Sequence, residues 1–127
     1  MKKCLQPLIS MKIIYLEQNQ IPLIDKDTFI KNTKLEEIRM RSNEIASIEE
    51  GSFDTITNID YMDLQNNQLI SVGTYKARRI DLQFNKLKFL YVSEETLEIN
   101  AQNNFIEKIN CTQKEMLVKR LEVNYLA

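Results

Sequence analysis

The sequence predicts an α/β repeat fold, mostly β and loop: a right-handed solenoid of about five stacked coils sharing one concave parallel β-sheet. Three observations predict it. The stretch Leu35 to Ile48 recurs 24 residues later as Ile59 to Val72, with Leu35, Ile38, Met40, Asn43, Ile45 and Ile48 matched by Ile59, Met62, Leu64, Asn67, Leu69 and Val72. A fixed period with the same residue class at several places is the mark of a stacked-repeat architecture. Gly and Pro number two each in 127 residues, too few for a β-sandwich built from many tight turns. The length suits one domain, spanning residues 1–127, and not two.

Each coil fits the pattern L-x-x-L-x-L-x-x-N-x-L-x-x-L, numbered below from position one. The first runs Met11, Ile14, Leu16, Asn19, Ile21, Ile24, and the second and third begin at Leu35 and Ile59. The fourth runs Ala77, Ile80, Leu82, Asn85, Leu87, Leu90, only 18 residues after the third, and the fifth runs Thr96, Ile99, Ala101, Asn104, Ile106, Ile109, 19 residues further on. A sixth strand is expected at Leu121 and Val123, in an incomplete rung at 118–127.

Positions four and six are apolar and two apart because alternate side chains of a strand point to the same face, here inward. Short strands are therefore expected around Tyr15, Arg39, Asp63, Asp81 and Asn100. Position nine is Asn in every coil: Asn19, Asn43, Asn67, Asn85 and Asn104. A buried amide must be hydrogen-bonded, and one that both donates and accepts can bond to backbone groups of adjoining turns, forming a ladder. Phe29 and Phe53 each follow position fourteen by five residues and can stack on the convex side. After Val72 the stretch GTYKARR leads at once to the next strand, and YVSEET is similarly short, so the outer arms of the later coils are expected to shrink to turns. A helical turn is expected near 52–56. The stretch TQKEMLVKR, 112–120, reads as helix because it holds good formers and no breaker.

Charge and composition exclude several function classes. Lys plus Arg number 17 and Asp plus Glu 18, a net charge of −1, which gives no reason to expect nucleic acid or an anionic membrane as partner. There is no His, the commonest acid/base group and metal ligand. No apolar run approaches a membrane span. Gln6, Pro7, Ser10 and Lys12 interrupt the opening segment, which lacks the uninterrupted apolar core of a signal peptide. Cys4 and Cys111 lie near opposite ends. A bridge between them is not expected, because stacking keeps the ends of such an array apart; each reads as a free thiol or as a partner for a cysteine outside this chain.

Outward-facing side chains of the concave sheet form rows about 4.8 Å apart. Tyr15, Arg39, Arg41, Tyr61, Asp63, Arg79, Asp81 and Phe84 make up the candidate binding patch, since Tyr and Arg dominate protein–protein hot spots. The competing reading is a solvated face whose charges keep the chain soluble. Asp63 and Asp81 fall on adjacent rungs, which raises acid/base catalysis or a metal. An open sheet face without a cleft argues against both, and Arg39 and Arg79 are the expected screening charges. No catalytic residue, metal or cofactor is expected. Asn110-Cys111-Thr112 is an N-x-S/T triplet, a glycosylation candidate or a chance match.

The unit LEEIRMRSNEIASIEEGSF resembles the 24-residue class of leucine-rich repeat found in extracellular animal proteins, and the likeness runs from about Met11 to Ile109. The later stretch RRIDLQFNKLKFLYVSEETLEINAQNNFIEKI, with its compact coils, is similar to the repeat arrays of mosquito leucine-rich repeat immune proteins. The resemblance implies a secreted, non-catalytic binding protein of insect innate immunity. It implies protein partners, a complement-like thioester protein or another leucine-rich repeat protein. The alternative is a fragment of a Toll-like receptor ectodomain. Without the family's coiled coil and terminal cysteine cluster, the sequence reads as a piece or a short relative.

Overall fold

A computed structural model describes residues 2–111 and 120–125. The chain opens with a short helix, α1 (Lys2–Leu5), and continues through strands β1 (Ile13–Tyr15), β2 (Leu23–Ile24), β3 (Glu37–Arg39), β4 (Ser47–Ile48), β5 (Ile59–Asp63), β6 (Ala77–Asp81), β7 (Phe89–Val92), β8 (Glu98–Ile106), β9 (Lys108–Cys111) and β10 (Arg120–Tyr125). Six of them form one parallel sheet in the order β1-β3-β5-β6-β8-β10. The molecule is a five-turn right-handed solenoid with a concave parallel sheet, mostly β with little helix.

The register follows the repeat positions. Ile14 pairs with Ile38, Ile38 with Met62, Met62 with Ile80, Ile80 with Ile99, and Ile99 with Leu121. Every inward row is thus one residue per coil, and the rows at positions four, six, eleven and fourteen fuse into a single buried core. Burial of this stacked aliphatic column is the main force holding the coils together.

The outer side differs from expectation in three respects. It is not turns alone: β2 pairs with β4, and β7 with β9, as two small parallel sheets. The fourth arm, YVSEET, begins extended, with Tyr91 and Val92 in β7, and only then closes in the expected short turn, where Thr96 N–H donates to Ser93 O (3.2 Å). The expected helical turn near 52–56 is a succession of tight turns, with Asp54 N–H donating to Gly51 O (3.1 Å) and Ile56 N–H to Phe53 O (3.1 Å). Gly51, at φ +82°, leaves the right-handed helical path at the start of this stretch, a backbone region that only Gly enters freely. The helix read over 112–120 lies outside the described residues except for Arg120, which begins β10.

Phe29 and Phe53 stack as anticipated, with ring centroids 5.8 Å apart. The column does not end there. Tyr75 meets Phe53 edge-on at 5.1 Å, so GTYKARR supplies the third ring that the spacing rule did not locate. The start of the chain is stapled on from the same side. Asn32, fully buried, donates Nδ2–H to Leu5 O (2.9 Å) and Leu8 O (3.0 Å), and Leu5 joins the core.

Candidate functional site

The concave face is set by the residue three places past the expected centre of each strand, Tyr15, Arg39, Asp63, Asp81 or Asn100. Gln18, Ser42, Asn66, Phe84 and Asn103, all at position eight, have φ between 53° and 60°. This left-handed residue turns the chain sharply off the sheet and aims the following Asn inward. Asn43, Asn67, Asn85 and Asn104 then bind across coils. Each Oδ1 accepts an N–H from the preceding coil: Ile21 (3.2 Å), Ile45 (3.1 Å), Leu69 (3.1 Å) and Leu87 (3.0 Å). Each Nδ2–H donates both to its own coil and to Leu16, Met40, Leu64 or Leu82 of the coil before. Asn19 is exposed and its printed bonds reach only its own coil, at Leu16 O and Glu17 O. The ladder keeps the rungs in register, and the register places the outward side chains.

Two outward rows result. One is Ile13, Glu37, Tyr61, Arg79, Glu98 and Arg120; the other is Tyr15, Arg39, Asp63, Asp81, Asn100 and Glu122. Across them the structure brings Tyr15, Arg39, Tyr61 and Arg79 into one zigzag stack. The Arg39 guanidinium lies 5.6 Å from the Tyr15 ring and 4.9 Å from the Tyr61 ring, and Arg79 lies 4.8 Å from Tyr61 on the other side. Each cation over a ring face is attracted by the ring quadrupole, by about 0.5–1 kcal/mol at an exposed site. Tyr15 is 65% exposed and closes the stack at one end.

Asp63 and Asp81 are neighbours on adjacent rungs, but they are not a solvated pair on an open face. Both are buried, at 1% and 5% exposure, beneath the side chains that bind them. Asp81 accepts from Tyr61 Oη–H (2.6 Å), Gln65 Nε2–H (3.3 Å) and Arg79 Nη2–H (3.3 Å). Asp63 accepts from Arg41 Nε–H (3.2 Å) and the Gln65 backbone N–H (3.1 Å). The screening charges also differ from expectation: Arg41, not Arg39, serves Asp63, while Arg39 bonds Glu37 (3.1 Å). Arg39 is held over the Tyr15 and Tyr61 rings by its bonds to Glu37, which leaves Arg41, at position seven, to reach the buried carboxylate one rung away. Buried and each paired with an Arg, the carboxylates are poorly placed to move protons or hold a cation. Among the described residues no three His, Cys, Asp or Glu come together as a metal site.

Gln65 repeats at position seven as Gln83 and Gln102. Gln102 donates to Glu122 (3.2 Å) as Gln65 does to Asp81. The next rung offers Gln83 an Asn, Asn100, at the register position where the others find a carboxylate, and its buried Oε1 has no hydrogen-bond partner among the described residues. Phe84 does not join the stack; it occupies the rim turn with its ring 54% exposed. Asn110 lies half-buried in β9, paired with Tyr91. The thiol of Cys4 is free and exposed.

The phenol of Tyr61 is held well above the usual range, first by burial, then by its hydrogen bond to Asp81 and the charges of Asp63 and Asp81. Burial likewise raises the phenol of Tyr75. Unfolded tyrosine ionises near pH ~10. Above that pH the unfolded chain has lost protons that the folded chain keeps, so stability is full below about pH 10 and falls as pH rises through the folded values. Urea midpoints at pH 9 and pH 11 are expected to show a drop that is smaller in Tyr61→Phe; an equal drop in both would contradict this assignment.

The residues that sequence reasoning missed are Tyr75, Asn32 and the donors Gln65 and Arg41 as partners of the buried pair. Ser42, Asn66 and Asn103 at position eight were the available signal for the left-handed turns.

A family model described as leucine rich repeat matches residues 9–69. No curated protein matches the chain. The crystal structure of the LRIM1/APL1C complex is similar with a TM-score of 0.89 at 20% identity, covering 99% of this chain and 24% of that one. The crystal structure of the leucine-rich repeat domain of APL1B gives 0.89 at 19% identity, covering 95% of this chain and 36% of that one. These relatives are mosquito immune leucine-rich repeat proteins. The fold is theirs, and the chain spans about a quarter and about a third of their lengths.

Proposed function

We propose that this leucine-rich repeat solenoid is a non-catalytic protein-binding module of insect innate immunity, engaging partner proteins through its concave sheet. The observation that carries the reading is the Tyr15–Arg39–Tyr61–Arg79 stack. Its side chains are already ordered against one another, so a partner meets Tyr and Arg surfaces with little rotamer entropy left to lose. The buried carboxylates beneath are neutralised within the chain. No group in the patch is placed to act as a nucleophile or an acid/base pair, which favours binding over chemistry.

The likeness to the two mosquito structures supports the immune setting and an extracellular location. LRIM1 stands in complex with APL1C in one of them, and by analogy a second leucine-rich repeat protein is the preferred partner here, with a thioester protein as the other candidate. No helix among the described residues is long and apolar enough to cross a membrane. The receptor-ectodomain alternative has no observation of its own in its favour.

The test removes the half of the stack that makes no bond to the buried carboxylates. Tyr15→Ala with Arg39→Gln is expected to reduce capture of partners from insect haemolymph at least tenfold, measured by quantitative mass spectrometry, with an unchanged circular dichroism spectrum. Capture at the wild-type level by the folded double variant would move the binding site off the concave face.

A further inference from the structure

The small outer sheet of β7 and β9 presents rings to water. Along β7, Leu90 and Val92 are buried in the core, while Phe89 and Tyr91 point outward and are 40% and 39% exposed. β9 runs beside it in register, Phe89 with Lys108, Leu90 with Ile109 and Tyr91 with Asn110. Ile109 packs against the core, so by strand alternation Lys108 and Asn110 share the outward face with the two rings. Paired residues of adjacent strands stand about 4.8 Å apart, which sets the Asn110 amide directly beside the Tyr91 ring. Among the described residues that amide has no hydrogen-bond partner.

The sequence marks the same residue. Asn110-Cys111-Thr112 is the only N-x-S/T triplet in the 127 residues, and it falls one strand away from an exposed ring. In a secreted protein this triplet is the acceptor for an N-linked oligosaccharide. A sugar ring carries C–H bonds on one face and hydroxyls around its edge. Laid on a phenol ring, it removes apolar surface from water while the hydroxyls stay hydrated. The attachment point and the surface that such a sugar would cover are therefore adjacent residues on one face.

We infer that Asn110 is an N-glycosylation site and that Tyr91 is the platform for its first sugar. The donor is an oligosaccharide carried on a lipid pyrophosphate. A bond forms between the anomeric carbon of the first sugar and Asn110 Nδ2. The bond from that carbon to the pyrophosphate oxygen breaks, the lipid pyrophosphate leaves with the electron pair, and the amide gives up one proton. Transfer takes place on the chain as it enters the secretory pathway, before β9 pairs with β7, so the half-burial of Asn110 in the folded chain is no obstacle. The inference rests on the extracellular setting of the proposed binding module. It adds a covalent modification on the outer side, which shields Tyr91 and leaves the Tyr15–Arg39–Tyr61–Arg79 stack free.

The full chain, expressed in cultured insect cells behind an added secretion leader, tests both halves. Peptide mapping by mass spectrometry, with and without peptide N-glycosidase, is applied to the secreted and the cell-retained protein alike. A glycan is expected on Asn110 and none on Asn110→Gln. The glycosylated chain is expected to melt roughly 2–4 °C above Asn110→Gln. The same comparison made in a Tyr91→Ser background is expected to show no gap. Unmodified Asn110 in both fractions would overturn the site. A gap that is absent in the wild-type background, or that persists at full size without the Tyr91 ring, would overturn the platform. Haemolymph capture separates this inference from the binding reading, because Asn110→Gln leaves the concave face intact. A glycan at Asn110 on a chain that captures no partner would remove the binding module and leave the site standing; capture by a chain without the glycan would do the reverse.

Discussion

Replacing Asn67 with alanine is expected to destabilise the chain by about 3–5 kcal/mol, while the same change at Asn19 costs under about 0.5 kcal/mol. The two residues hold the same repeat position and differ in what surrounds them. Asn67 is buried between two coils. Its Oδ1 accepts from Ile45 N–H, and its Nδ2–H reaches Met40 O, Leu64 O and Gln65 O. Alanine removes all of these together and strands the Ile45 N–H in an interior where water cannot replace the bond. An orphaned buried group carries its full desolvation penalty, about 1–3 kcal/mol, on top of the bonds lost. Asn19 is exposed, and its bonds to Leu16 O and Glu17 O can be taken over by water. Urea unfolding of the two variants measures the contrast. Losses within about 1 kcal/mol of each other would mean that the ladder does not couple the coils.

That contrast marks how far the sequence could be read. The inward rows were legible because they depend only on strand alternation and a constant period: Ile14, Ile38, Met62, Ile80 and Ile99 could be aligned by counting. The outward rows were legible for the same reason, so Asp63 and Asp81 were placed as neighbours. Their burial was not legible, since it depends on how Tyr61, Gln65, Arg41 and Arg79 fold over them, and a list of positions does not contain rotamers. Tyr75 escaped because it follows Val72 by three residues where the phenylalanines follow position fourteen by five. The shortened arm brings an earlier residue to the same place in space. Asn32 lies between rungs, where the pattern says nothing, and its function as a staple depends on the backbone path of residues 5–8. In the candidate site the counting rule found the members of the Tyr–Arg stack; it placed Phe84 among them although the left-handed turn sets that ring apart on the rim.

The aromatic column opposite the sheet yields the second large effect. Phe53→Ala is expected to destabilise by about 3–5 kcal/mol, the usual range for a buried Phe truncated in a packed core. Phe53 is 5% exposed and, among the described residues, is the one ring with ring neighbours on both sides, Phe29 at 5.8 Å and Tyr75 at 5.1 Å. Each such pair adds about 0.5–1.5 kcal/mol beyond the area it buries. Phe29 is fully buried but has one ring partner in this column, so a double-mutant cycle of Phe29→Ala and Phe53→Ala should return a coupling of about 1 kcal/mol. Phe53→Leu keeps most of the volume and should cost less than Phe53→Ala. The consequence extends across the coil. The outer rings help hold neighbouring coils at the spacing on which the Arg39–Tyr61 and Tyr61–Arg79 contacts depend, so Phe53→Leu tests whether the concave stack survives a loosened outer side. Thermal and urea unfolding of the three variants check the energies. A loss under about 1 kcal/mol for Phe53→Ala would show that the strand ladders and the Asn bonds alone keep the coils together, with the rings as passengers.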